Sequence, residues 1–322
     1  MSCALSGKRI LITGGSGYLG VNLVNALMGV DCHVTRLSRT PSQIDQSLGT
    51  AAVCDAAADV SDVTTWPCVL REVDIVVHLA AQTSAYDAER DPSADWAANV
   101  QPMLHLLECC RTQEIKPLIL FAGTVTQVGM SDRLPVDERH PDRPNTVYDL
   151  HKLMAEQYLK HYCNRKLVRG AVLRLANVYG PGPSSGKPDR GVLNVMVRRA
   201  MAGEPLTVYG PGGHLRDYVY VQDAAGAFIA AATRPEAING RHFVIGSGTG
   251  HLLVDAVNLV ADRVALRTGR RAEVKHVEPP SSLLPIESRD FVADATAFRQ
   301  ATGWTPRVEL QEGIDRMVEA FL

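Results

Sequence analysis

A short apolar run, Lys8 to Thr13, ends in Gly14-Gly15-Ser16-Gly17-Tyr18-Leu19-Gly20, and a helical pattern with Leu19, Leu23, Val24 and Leu27 begins at once. A strand, a glycine turn and a helix in direct succession leave few folds open. Glycine permits a tight turn and a close approach of backbone N–H groups to a pyrophosphate, and the helix N-terminus adds a partial positive charge. The run reads as Gly-x-x-Gly-x-x-Gly or, from Gly15, as Gly-x-Gly-x-x-Gly. A glycine run alone can be only a turn, but this strand–turn–helix setting is that of a dinucleotide site. Gly14, Gly17, Tyr18, Leu19 and Gly20 are its first candidate residues.

The same alternation continues along the chain. Cys32 to Leu37, Asp74 to Leu79, Pro117 to Ala122 and Gly170 to Leu175 read as strands, with helices predicted over Ala94 to Gln113 and Val147 to Tyr162 between them. Continuous apolar runs suit strands covered on both faces, so the expected class is α/β, a doubly wound parallel sheet. After Asn177 the alternation lapses. Residues 180–191 hold three Pro and four Gly and predict a loop; Gln222 to Thr233 and His242 to Ile245 then resume a helix and a strand. At roughly 100–200 residues per domain, the 322 residues divide into a dinucleotide-binding domain, 1–176 with 207–245 returning to it, and a smaller mixed α/β lobe, 177–206 and 246–322, for substrate.

Composition removes several partners. The net charge of −2 offers no bulk basic surface for a nucleic-acid backbone. No run of 18 apolar residues predicts a membrane span. Met1 to Gly7 lacks the apolar core of a signal peptide, and the seven Cys lack any Cys-x-x-Cys pair. The expectation is a cytoplasmic protein with reduced thiols and no metal site.

The end of the second strand bears on which dinucleotide binds. An NAD site places Asp or Glu there for the ribose 2′-OH; here Leu37 is followed by Ser38 and Arg39. A hydroxyl and a guanidinium suit a 2′-phosphate, which points to NADP(H), with NAD as the alternative. Arg36 is a second basic candidate, although strand alternation can turn it the other way. Tyr148 and Lys152 stand at i and i+4, on one helix face. An ammonium beside a phenol stabilises the phenolate, so Tyr148 can exchange a proton with a substrate oxygen while hydride moves. Thr124 follows the strand ending at Ala122 and supplies a hydroxyl for the same oxygen, with Thr126 the competing hydroxyl two residues on.

These features together resemble the extended short-chain dehydrogenases/reductases, the superfamily of nucleotide-sugar epimerases, dehydratases and reductases. The resemblance spans essentially the whole chain: Gly14 to Gly20, His78-Leu79-Ala80-Ala81, Asn99, Thr124, Tyr148 with Lys152, Asn177 to Pro181, Arg216-Asp217-Tyr218, and Gly303-Trp304-Thr305-Pro306. It implies a Rossmann sheet and adenine and cofactor contacts at Asp59, Val60, Leu79, Ala80, Ala81 and Asn99. It also implies a nucleotide-sugar substrate held by Gln82, Thr126, Asn177, Val192, Arg216 and Arg289.

Within the superfamily, sugar dehydratases resemble Thr-Asp-Glu where this chain reads Thr124-Val125-Thr126, so elimination chemistry is not expected. Ser38-Arg39 departs from the acidic residue of NAD-holding 4-epimerases. The segments around Val192, from Arg198 to Thr207 and from Thr302 to Arg316 resemble NDP-4-keto-6-deoxyhexose C4-ketoreductases. The leading expectation is therefore NADPH-dependent reduction of the C4 ketone of a nucleotide-linked, dTDP-type deoxysugar. The alternatives are a redox-neutral NDP-sugar 4-epimerase with bound NAD, and a non-catalytic dinucleotide sensor. The resemblance also implies a homodimer built on the two long helices.

Overall fold

The computed structural model describes residues 2–40, 49–183 and 191–322. The strands are β1 (Arg9–Thr13), β2 (His33–Ser38), β3 (Ala52–Ala57), β4 (Ile75–His78), β5 (Leu118–Thr124), β6 (Arg169–Leu175), β7 (Asn177–Tyr179), β8 (Leu206–Tyr209), β9 (Leu215–Tyr220), β10 (His242–Ile245), β11 (Gly250–Leu252) and β12 (Val274–Val277). The helices are α1 (Tyr18–Leu27), α2 (Thr65–Val69), α3 (Ala85–Arg90), α4 (Pro92–Asn99), α5 (Gln101–Thr112), α6 (Val147–Asn164), α7 (Val192–Ala202), α8 (Val221–Ala232), α9 (Pro235–Ile238), α10 (Leu253–Thr268), α11 (Thr296–Thr302) and α12 (Leu310–Ala320).

Seven parallel strands form the main sheet in the order β10-β6-β5-β4-β1-β2-β3. Strand periodicity explains its two layers of helices. Ile10, Ile12, Ile75, Val77, Leu118 and Leu120 face a core that includes residues of α1 and α8. Leu11, Val76, Ile119 and Phe121 face the opposite core, with α5 and α6. The chain leaves β1 in one direction for β2 and β3, then returns to β4 on the other side. The strand order therefore reverses between β1 and β4, and ligands of such sheets bind at the carboxyl ends beside this point. Gly14, Leu79 and Thr124 all stand there.

The smaller lobe carries the sheets β11-β9-β7 and β12-β8, and α7, α10 and α12 share its core with Tyr179, Tyr218 and Tyr220. Within the stretch 207–245, β9 pairs in the sheet β11-β9-β7, and α8, α9 and β10 join the large one. Phe298 and Trp304, late in the chain, also pack into the core of the large sheet. The helix expected over Ala94 to Gln113 is divided at Val100 into α4 and α5. Pro102 has no N–H to carry the ladder through that point. The loop expected over 180–191 lies outside the described residues at 184–190.

Candidate active site

The glycines of the β1–α1 turn have separate physical reasons. Gly14 has φ +68°, in the left-handed region, and a Cβ there would lie 2.9 Å from the Ala80 nitrogen. At Gly20 a Cβ would lie 2.3 Å from the Gly14 carbonyl oxygen, so helix and turn pack too closely for any side chain. Gly17 caps α1, and a Cβ there would meet only the Gly14 oxygen, at 3.1 Å. Space is thus left over the first turn of α1, whose N–H groups have no intrahelical acceptor. That cradle fits a pyrophosphate. Thr13 Oγ1 accepts the N–H groups of Leu79 and Ala80, each at 3.1 Å, and donates to His78 Nδ1 at 2.8 Å. Burial, reinforced by Lys152, pulls His78 down to about 3, so it is neutral and Nδ1 is free to accept. This one hydroxyl joins the carboxyl ends of β1 and β4 and places Leu79, Ala80 and Ala81 beside the glycines.

At the adenosine end the structure separates the two arginines. Arg36 is buried, lies against Gly15 and pairs with Asp55 at 2.7 Å. Arg39 is exposed at the end of β2. Ser38 and Ser16 both donate to the Thr40 carbonyl, at 3.2 and 3.1 Å. Asp59 accepts from the Ser61 N–H and hydroxyl, and these bonds, with the charge of Arg39, hold its carboxyl below the usual range against burial. Val60 gives its carbonyl to the Trp66 indole at 3.1 Å. Ser38, Arg39 and Asp59 therefore lie on one rim. The Tyr18 side chain is engaged within the protein. Its hydroxyl donates to the Gly180 carbonyl at 2.9 Å, and its ring fills the space a Gly182 Cβ would need. The Tyr18 side chain thus ties the cofactor turn to the second lobe, which leaves only its backbone for a pyrophosphate.

At the chemical end, Thr146 caps α6 by accepting the Asp149 N–H at 3.1 Å. That start sets Tyr148 and Lys152 one turn apart. Lys152 is buried with Nζ 4.0 Å from the Phe121 ring centroid, and it has no hydrogen-bond acceptor among the described residues. Burial pulls its ammonium down to about 7, against the opposing charges of Asp95 and Glu156. A lysine held without an acceptor suits the hydroxyls of a nicotinamide ribose. Thr124 is the last residue of β5, and its N–H bonds Gln127 Oε1 at 3.0 Å. Gln127 in turn donates to the buried Glu156 at 2.8 Å, and Glu156 is clasped by Arg174 and Lys160. Thr124 and Thr126, competing candidates in the sequence, are joined: their hydroxyl oxygens are 2.8 Å apart, and Thr126 donates to Asp149.

Asp95 was not singled out from the sequence. It is 1% exposed and accepts from Gln82 at 2.8 Å, Asn99 at 2.9 Å and His151 at 2.7 Å. Gln82, expected to touch substrate, uses its amide on Asp95 and Ser84. Asn99 keeps Oδ1 buried without a partner among the described residues. The available signal was the Asp95–Asn99 spacing of one helical turn, together with a histidine inside the Tyr-x-x-x-Lys motif.

Three further candidates converge in the second lobe. Arg289 donates to Asn177 Oδ1 at 3.2 Å and to the Ile286 carbonyl at 2.9 Å, and its Nε is buried without a partner among the described residues. Burial and then Arg216 pull its guanidinium down to about 10. Arg216 instead binds the backbone carbonyls of Leu215, Glu287 and Arg289, so it shapes the loop that presents Arg289. The buried Tyr218 hydroxyl, not singled out as a site residue from the sequence, has no hydrogen-bond partner among the described residues and lies beside these cations. Val192 stands exposed at the start of α7. Two surface cavities of about 360 and 520 Å³ share Pro135 and Asp294 and are lined by none of these residues. Among the described residues no cluster could hold a metal ion, and no helix is long and apolar enough to cross a membrane.

Residues 10–246 match the NAD dependent epimerase/dehydratase family. The chain is 28% identical to the UDP-glucose 4-epimerase of Mycolicibacterium smegmatis over 318 residues, 97% of this chain and 98% of that one. The structure of UDP-glucose 4-epimerase from Thermotoga maritima with UDP-glucose is similar, with a TM-score of 0.84 and 29% identity, over 97% of this chain and 98% of that one. The Thermus thermophilus UDP-glucose 4-epimerase in complex with NAD gives a TM-score of 0.81 at 29% identity, over 97% and 98%. All three carry the name of the alternative reading, an epimerase, and none that of a ketoreductase.

Proposed function

This chain belongs to the NAD dependent epimerase/dehydratase family, and from that premise we propose that it is a nucleotide-sugar 4-epimerase acting on a UDP-hexose. The observation that carries the reading is that α6, with Tyr148 and Lys152, meets the end of β5 through Lys152 on Phe121 and the Thr124–Thr126–Asp149 chain, while Arg289, paired with Asn177, acts on Asp149 from the second lobe. The names of the similar proteins support it. The glycine turn, Asp59, Leu79, Ala80, Ala81 and Lys152 would hold a nicotinamide dinucleotide. When bound, that group would supply reversible hydride transfer at C4 of the sugar, with return to the opposite face giving the 4-epimer. Tyr148 takes the proton of the C4 hydroxyl and gives it back. Lys152 holds the phenolate form of Tyr148 and the ribose. Arg289, with its open Nε, and the Tyr218 hydroxyl bind the diphosphate. Incubating the purified protein with UDP-glucose should yield UDP-galactose with no net change in reduced nicotinamide; the absence of any conversion rejects the reading.

One observation favours a second reading. Ser38 and Arg39 stand where a carboxylate would repel a 2′-phosphate, which supports NADPH and the C4-ketoreductase of a 4-keto-6-deoxy sugar. Hydrogen bonds to charged groups contribute roughly 1.5–3 kcal/mol, and each 1.4 kcal/mol is about tenfold. Discounted for the exposure of Arg39, a 2′-phosphate gains about ten- to a hundredfold. In that reading NADPH is consumed stoichiometrically by a 4-keto sugar; in the first, NAD stays bound. In either, Ser38→Asp with Arg39→Ala should shift the NADPH-to-NADH affinity ratio toward NADH by about tenfold or more. An unchanged ratio, measured by nicotinamide fluorescence titration, would show that this rim does not select the cofactor.

We also propose a homodimer paired through α4, α5 and α6, where Trp96 and Leu150 are 37% and 44% exposed. Light scattering at micromolar concentration should give twice 34.9 kDa. Trp96→Asp with Leu150→Asp should give the monomer mass. A monomeric wild type rejects the proposal.

A further inference from the structure

Asp149 lies between the reactive Tyr148 and the rest of α6, and it is 2% exposed. Its Oδ1 receives the Thr126 hydroxyl, while Oδ2 is buried with no hydrogen-bond partner among the described residues. Thr126 Oγ1 is also 2.8 Å from Thr124 Oγ1, and Thr124 Oγ1 accepts the Thr126 N–H at 3.3 Å. A threonine hydroxyl has one proton and two lone pairs. An ionised Asp149 therefore takes the only Thr126 proton. Thr126 must then accept from Thr124, and Thr124, whose oxygen already accepts the backbone N–H groups of Thr126 and Gln127, has no proton left for a ligand. A protonated Asp149 reverses the chain: the acid donates to Thr126, the Thr126 hydroxyl donates to Thr124 in place of its own long 3.3 Å N–H bond, and the Thr124 proton is free to leave the chain.

We propose that Asp149 is a positioning residue that, acting through Thr126, sets whether the Thr124 proton is held by Thr126 or free to be donated to a substrate ketone. This rests on the reading that Thr124 meets the reacting oxygen. A reaction that passes from alcohol to ketone and back needs a hydrogen-bond donor at the ketone oxygen that can be withdrawn at the alcohol, and a lone threonine does not control when it donates. The charged and titratable groups around Asp149 are Arg289 and Glu287 from the second lobe, and Tyr148, His151 and Lys152 on its own helix. Burial raises its carboxyl above the usual range, opposed by the hydroxyls of Thr126 and Thr146 and by Arg289. Both protonation states are thereby brought nearer to working pH.

The test reads the carboxyl directly, in protein labelled with ¹³C at aspartate, with the Asp149 resonance identified by its loss in Asp149→Asn. Thr126→Val removes a donor to the charged form, so Asp149 should titrate about one to two pH units higher. An unchanged titration overturns the proposal whatever the substrate is. With UDP-glucose, Thr126→Val and Asp149→Asn should each lower kcat about tenfold with KM little changed. Both should lose the wild-type inflection due to Asp149, and the double variant should be no slower than Thr126→Val. Multiplying effects would mean that Asp149 acts by another route and would overturn it. Failure of the wild type to turn over UDP-glucose rejects the substrate reading alone, and the titration then decides the proposal.

Discussion

Tyr148→Phe lowers turnover by about 10²–10⁴-fold, the range that a positioned general acid–base contributes, while dinucleotide binding stays within about twofold. The phenol oxygen is the only group removed. The glycine turn, the Thr13 clasp on Leu79 and Ala80, and the Asp59 rim are built from other elements and remain. Lys152 stays buried against Phe121, so the ribose site remains as well. The measurements are steady-state rates and a fluorescence titration of the reduced dinucleotide. A variant within a factor of three of wild type would remove Tyr148 from the chemistry. A variant that has lost the cofactor would mean that its role is binding.

Glu156→Ala destabilises the protein by about 3–5 kcal/mol, the cost of breaking a buried ion pair by removing one partner. Arg174 is 1% exposed and binds Glu156 through two bonds, at 2.7 and 2.8 Å, and it would keep only Asp142. Gln127 loses its acceptor in the same change, and Gln127 holds the Thr124 N–H. The variant should therefore lose several degrees in Tm and also lose activity at temperatures where it is still folded. The pH dependence has a definite sign. Burial by itself would raise Glu156; the hydrogen bonds and charge of Arg174, with Lys160 and His242 behind them, outweigh it and hold the carboxyl at about 2, against an ordinary 4.5. The stabilisation is thus present above the ordinary value and is lost as pH falls through the folded one. Chemical denaturation from pH 6 to 2.5 should show that component in the wild type and not in Glu156→Ala. Equal acid sensitivity in both would place the wild-type acid transition elsewhere.

The fold class, the glycine turn and the Tyr148–Lys152 pair were legible because each is written in short-range order. Alternation along β1, β4 and β5 and the apolar spacing of α1 are set within a few residues. Tyr148 and Lys152 face the same way because four residues make about one helical turn. The narrower assignment was harder. Ser38 and Arg39 argued for NADP and a ketoreductase, whereas the similar proteins are named as 4-epimerases. One rim of a cofactor site constrains the dinucleotide but does not see the sugar.

What only the tertiary structure decided are contacts between residues far apart in the chain. Asp95 meets His151 across 56 positions, Asp149 meets Thr126 across 23, and Asn177 meets Arg289 across 112. Gln82 and Arg216 are polar residues whose sequence does not tell whether they meet a ligand or the protein itself; the fold gives Gln82 to Asp95 and Arg216 to backbone carbonyls. Tyr18 lies in the motif that predicts cofactor contact, yet packing sends its side chain to Gly180. The sequence by itself determined the sheet, the glycine turn and the one-face spacing of Tyr148 and Lys152, because local periodicity and backbone sterics act within a turn or a strand. The folded chain decided which polar groups support that pair and which stay open, because a buried donor or acceptor takes whatever partner the packing of distant elements brings within about 3 Å.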